Sequence, residues 1–140
     1  MEKSVGTRSL TIKPEGSRMS SLAEVLAGLQ KSYLASMSEK ISNLLALYQA
    51  SDLVRLETEY HKLKGTGRTY GLPEVTQIGA VAERICQLDP NLLGQAVPLT
   101  LTLLAKARDL REKGQTYDLE NEPDYIALSK MANDAESKAG

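Results

Sequence analysis

From about residue 21 onward the apolar positions recur at intervals of three and four. That is the spacing of helices that bury one face. Leu22, Val25, Leu26, Leu29 and Tyr33 share one stripe and predict a helix from Ser21 to Tyr33, with Ser21 and Glu24 at capping-box spacing. Ile41, Leu44, Leu45 and Tyr48 predict a second helix from Met37 to Ala50, and Ser36 with Glu39 repeats the box. The two are either one bent helix or a pair. Leu53, Leu56, Tyr60 and Leu63 define a third, from Ser51 to Gly67.

The fourth helix begins at Pro73, where the missing N–H would be unpaired in any case. It turns Val75, Ile78, Ala82 and Ile85 inward, with Gly79 allowing close helix approach. Asp89-Pro90 reads as the cap and first position of the next helix, which runs through Val97, Leu101, Leu104 and Arg108 to Gly114. Pro98 lies inside it and is expected to kink it or reset its start. Short connections between amphipathic helices imply antiparallel neighbours. The expected fold is therefore all-α, an up-down four-helix bundle over 19–114 with an extra N-terminal helix. Residues 1–18 read as a flexible arm. Residues 115–140 read as an acidic tail in which Pro123–Ala135 has the pattern of one further helix.

Composition sharpens this picture. The chain has no Trp and no Phe, so its core is built from aliphatic residues and a few Tyr, which suits packed helices better than sheets. A net charge of −1 leaves no electrostatic footprint for nucleic acid. Cys86 is the only cysteine, so neither an internal disulfide nor a Cys/His zinc site is available. With no apolar leader and no membrane-length stretch, a reducing, cytoplasmic setting is expected. The P-loop and Rossmann fingerprints are absent, and a hydrolase triad has no support.

His61 is the only histidine. By the 3.6-residue period it points roughly 120° away from the stripe of its helix, toward solvent. Glu57 lies one turn before it, Lys64 and Gly65 one turn after, and Arg68 two turns after. Cations beside an imidazole disfavour its charged form and leave the neutral, nucleophilic ring. The same cations suit an attached phosphoryl group. Gly65 clears the space a partner must enter, and Glu57 is the candidate to hold one ring nitrogen and fix the tautomer.

The run from His61 through Lys64, Gly65 and Gly71 to Leu72 resembles the signature H-x-x-K-G-x(5)-G-L of histidine phosphotransfer (HPt) domains. The resemblance covers about two-thirds of the chain. It implies that His61 accepts a phosphoryl group from a receiver aspartate or a histidine kinase and passes it to another receiver aspartate. Lys64 would then lie near the phosphoryl oxygens, Gly65, Arg68 and Glu57 would face the partner, and Tyr70, Gly71 and Leu72 would shape the turn. It also implies a carrier without autokinase activity or cofactor, with Mg2+ on the receiver, working as a monomer away from membranes. Two positions depart from the pattern: Tyr60 stands where many members have alanine, and Arg68 where small residues are common. They motivate an alternative, an HPt-like binding module that docks a receiver or kinase without transfer.

Overall fold

The computed structural model describes the backbone of residues 15–139 and side chains from residue 21 onward. Six α-helices follow in order: α1 Glu15–Ala35, α2 Met37–Gln49, α3 Leu53–Thr69, α4 Pro73–Leu88, α5 Leu93–Glu112 and α6 Pro123–Ala139. Short 3-10 turns at Pro90–Leu92 and Leu119–Asn121 precede α5 and α6. Among the described residues there is no strand. Helices α2 to α5 form the bundle. In it α3 packs most intimately on α4, while α5 touches both α2 and α4. Met37, Leu44, Leu56, Tyr60, Ile78, Ile85 and Leu104 fill its centre.

Three helix ends are set by left-handed residues. After α3 the Leu72 N–H donates to the Gly67 carbonyl at 2.8 Å and the Gly71 N–H to the Arg68 carbonyl at 3.1 Å, with Gly71 at φ +75°. After α5 the Gln115 N–H reaches the Leu110 carbonyl across Gly114, also at φ +75°. Both are Schellman closures, which satisfy the last carbonyls of a helix and favour glycine at the left-handed position. At the end of α2 the same geometry falls on Ser51, at φ 57°. Leu72, just past Gly71, is completely buried, and Pro73 then starts α4.

Several expectations are corrected. Ser21 does not cap a helix, because α1 already begins at Glu15. The break between α1 and α2 is real: the Ser36 hydroxyl turns back to the Tyr33 carbonyl at 2.7 Å instead of capping α2. Pro98 leaves α5 unbroken. It sits on the exposed face one turn after an exposed Gly94, so the Gly94 carbonyl that loses its hydrogen bond is left to water. The further helix read over Pro123–Ala135 is present as α6, but it is not a tail: it packs on α4 and α5, with Leu119, Leu128, Ala132 and Ala135 buried. The arm expected over 1–18 lies outside the described residues up to residue 14, and α1 occupies the rest.

The largest departure is on α1. Its stripe was expected to face the core, yet Leu22, Val25, Leu26 and Leu29 are 60%, 58%, 60% and 46% exposed. Among its described side chains only Tyr33 and Leu34, at the C-terminal end, are buried. Helix α1 makes few contacts with α2 and α5, and its described apolar stripe before Tyr33 is left largely to solvent.

Candidate functional site

Two glycines bring α3 and α4 together. A Cβ on Gly79 would stand 2.7 Å from the Lys64 backbone nitrogen and 2.8 Å from the Tyr60 carbonyl oxygen. A Cβ on Gly67 would stand 2.5 Å from the Thr76 nitrogen. Neither position admits a side chain without moving main chain. The resulting antiparallel contact places Glu83, one turn beyond Gly79, against the exposed face of α3.

Glu83 is the centre of the cluster. Its Oε2 accepts a hydrogen bond from His61 Nδ1 at 2.7 Å, and its Oε1 meets Lys64 Nζ at 2.7 Å. The carboxylate side chain is only 9% exposed, whereas the His61 side chain is 65% exposed. Burial pushes the Glu83 carboxyl up, but the hydrogen bonds from Lys64 and His61, with their charges, outweigh it and hold it below the ordinary glutamate range. An ionised carboxylate only accepts, so Nδ1 is the ring nitrogen that carries the proton. Nε2 then presents its lone pair to solvent in the neutral ring.

This arrangement corrects the reading of Glu57. Glu57 does not touch the imidazole; it accepts a hydrogen bond from Gln87 Nε2 at 3.1 Å, one turn along the same helix contact. Lys64 is not a free cation beside the ring but one half of an ion pair. The charge around the imidazole therefore includes a carboxylate that neighbours in sequence do not supply. Glu83 is 22 residues from His61, and helix periodicity within α3 carries no information about α4.

The remaining predicted residues are placed as follows. Gly65 is exposed, with nothing within 4 Å of where its Cβ would be. Arg68 is exposed and lines a groove of about 400 Å³ with Leu26, Ala27, Gln30, Thr69, Tyr70 and Gly71, apart from the Glu83 cluster. Tyr70 stacks on Tyr33 with ring centroids 4.8 Å apart, and its carbonyl accepts from Gln30 Nε2 at 2.8 Å. The Tyr33 hydroxyl bonds Thr66 Oγ1 at 2.8 Å. Tyr60, which departs from the usual pattern, is fully buried, so it is a core residue and not part of the exposed face. Lys62 pairs with Glu59 at 3.0 Å on the flank. Burial raises the Cys86 thiol to about 12, which makes it an inert core residue. Among the described residues no group of three or more His, Cys, Asp or Glu is placed to hold a metal, and no helix is long and apolar enough to cross a membrane.

The described helices form an antiparallel bundle with one exposed, carboxylate-held histidine. The profile of the Hpt domain matches residues 28–122, well over half of the 140-residue chain, and the chain belongs to that family. Hpt domains are phosphocarriers of two-component phosphorelays. Neither the curated proteins nor the solved structures give a match to this chain. The matched span contains α2 to α5 and the whole His61–Lys64–Glu83 cluster. The first half of α1 and all of α6 lie outside it.

Proposed function

We propose that His61 is the phosphoacceptor of a stand-alone phosphorelay carrier. The single observation that carries this reading is the 2.7 Å contact between Glu83 and Nδ1, which leaves Nε2 as the exposed nucleophile. In the forward step the Nε2 lone pair attacks the phosphorus of a receiver's aspartyl phosphate. The Nε2–P bond forms as the acyl P–O bond breaks, and the aspartate carboxylate leaves with the electron pair. The proton on Nδ1 stays where Glu83 holds it, so positive charge developing on the ring faces a carboxylate. Transfer to a second receiver runs the same step in reverse. A histidine kinase phosphohistidine is an alternative donor, with an imidazole as the leaving group.

Lys64 lies one turn from His61 and is able to swing from Glu83 toward the phosphoryl oxygens, exchanging one anionic partner for another. Gly65 leaves the approach to Nε2 open. Mg2+ belongs to the receiver in this scheme, and the chain works as a monomeric cytoplasmic carrier with no autokinase activity. The reading as a binding module without transfer rested on Tyr60 and Arg68. Burial of Tyr60 takes one of those two residues off the exposed face, which favours the carrier reading.

The test is transfer from receiver domains of the source organism, each phosphorylated by acetyl phosphate with Mg2+. A base-stable, acid-labile phosphate is expected on the chain and is lost in His61→Gln. Labelling that persists in His61→Gln refutes the site. Receiver binding without transfer, unchanged in His61→Ala, would establish the binding module instead.

A further inference from the structure

We infer that the groove between α2 and α3 is a binding site for a small, flat aromatic monocarboxylate. Helix α3 packs far more closely on α4 than on α2, and the looser seam leaves a groove of about 340 Å³. That is the size of a small-ligand pocket. At about 30 Å³ for a water molecule in the liquid, the space suits roughly eleven non-hydrogen atoms. Its floor is apolar: Leu44 of α2 and Leu63 of α3 line it and are buried. Tyr33 and Tyr70, stacked on each other, line one end. Apolar floor and aromatic rings together favour a flat ring system over an aliphatic chain.

The polar groups of the groove fix the charge of the occupant. Glu59 and Lys62 pair with each other at 3.0 Å, so their charges cancel. Thr66 Oγ1 donates to the Lys62 carbonyl at 2.8 Å and accepts from the Tyr33 hydroxyl at 2.8 Å, so neither hydroxyl has a proton left to offer. Lys40 is different. Its half-buried ammonium meets no carboxylate among the described residues. One of its three donors goes to the Ser36 hydroxyl at 3.0 Å, and the group stands 5.0 Å over the Tyr33 ring. The groove therefore carries one uncompensated positive charge beside apolar surface. A carboxylate accepts the spare Lys40 donors in a charge-assisted hydrogen bond while its ring covers Leu44 and Leu63. A second negative charge would face Glu59, which restricts the ligand to a monoanion.

The groove is separate from the Glu83 cluster. Thr66 is five residues from His61, which is roughly 140° round α3, so an occupied groove leaves Nε2 uncovered. Its ligand bridges α2 to the helix that bears His61. Because the site exists only in the folded chain, the ligand raises Tm in proportion to the logarithm of its concentration above saturation.

The experiment titrates the isotopically labelled full chain with indole-3-carboxylate and follows the backbone amides by NMR. Saturable shifts are expected around Lys40, Leu63 and Thr66. Indole-3-carboxamide has the same shape without the charge and should bind roughly tenfold more weakly, the effect of losing one charge-assisted hydrogen bond. Acetate has the charge without the ring and should give no saturable shift. Lys40→Met, which keeps the alkyl stem, should bring the acid down to the affinity of the amide, while Lys40→Arg keeps the preference for the acid. Lys130→Met, on α6, should change nothing. If Lys40→Met does not fold, the comparison of acid, amide and acetate on the wild type decides. Equal affinity for acid and amide overturns the site, as does the absence of saturable shifts. Acetate shifts that match those of the indole acid reduce it to a screened surface charge and also overturn it. None of these readouts depends on phosphorylation of His61, so the carrier reading stands or falls separately.

Discussion

Replacing a helical glycine by alanine ordinarily stabilises a protein by about 1 kcal/mol, since Ala is the better helix former. In this chain the sign depends on which glycine is changed. At Gly79 the new Cβ would stand 2.7 Å from the Lys64 nitrogen, 2.8 Å from the Tyr60 oxygen and 3.1 Å from the Leu63 Cβ. Comfortable contact begins at about 3.5 Å. Two of the three neighbours are main-chain atoms of α3 that cannot rotate away, so the helices must part by roughly 0.7 Å. Overpacking of this kind costs about 1–3 kcal/mol, and fixed main-chain neighbours put Gly79 at the upper end. After the propensity gain, Gly79→Ala is expected to be about 2 kcal/mol less stable than wild type. At Gly65 no atom lies within 4 Å, so Gly65→Ala keeps the full propensity gain and is about 1 kcal/mol more stable.

Urea denaturation followed by circular dichroism measures both changes at constant slope. The two variants should differ by about 3 kcal/mol, or roughly 10 °C in Tm. Transfer adds a second reading. Parting α3 from α4 stretches the two 2.7 Å contacts of Glu83 to the edge of hydrogen-bond range, so Gly79→Ala also slows transfer to His61. Gly65→Ala slows transfer despite its greater stability, by placing a methyl group in the partner's path. Equal stability of the two variants, or a Gly65 variant below wild type, refutes the reasoning about close approach.

Two further substitutions test the electrostatics. The Glu83 carboxyl is held below its ordinary value, so it adds stability above the unfolded-state value near 4.3 and loses it as pH falls through the folded-state value. The stability gap between wild type and Glu83→Gln, from urea midpoints in a pH series, should be present at pH 5 and close below about pH 4; a gap that widens on acidification refutes this. Glu74, 3% exposed, is gripped by Arg111 at 2.6 and 3.0 Å, tying the start of α4 to the end of α5. Glu74→Gln leaves the guanidinium without its counter-charge and should cost about 3 kcal/mol in thermal unfolding, while Glu74→Leu/Arg111→Met recovers most of the loss. A double variant no better than the single one sinks that account.

The helices of the bundle were legible because each has its own period. Leu53, Leu56, Tyr60 and Leu63 mark one side of α3 without reference to any other segment, and all are buried but Leu53, which is 38% exposed in the first turn. The same period put His61 on the solvent side, and its side chain is 65% exposed. Periodicity names a face but not what lies opposite it. Leu22, Val25, Leu26 and Leu29 have as good a stripe as α3, yet among the described residues they stay about half exposed or more, because a stripe does not say whether a neighbouring helix covers it. The helix pattern read over Pro123–Ala135 is a helix in the structure, and only its packing on the bundle went unread. Its acidic residues suggested a solvated tail, while Leu128, Ala132 and Ala135 supply a narrow buried edge that small side chains make hard to see.

Glu83 was the residue of the site that local reasoning could not reach, although its position follows from two others that it did reach. Gly79 was marked as a point of close helix approach, and α3 and α4 are joined by the short turn closed at Gly71. An antiparallel pair joined by a short turn has a fixed register: with Gly79 against Lys64 and Tyr60, the residue one turn on lies beside His61, within reach of the long Lys64 side chain. That residue is Glu83, an acid on the contact side of α4, where an unpaired charge would be costly. A buried acid needs a cationic or hydrogen-bonding partner, and His61 and Lys64 are the groups within reach. The signature around His61 specifies half of the site. The other half is specified by the glycines that set how closely, and in what register, the second helix lies against it.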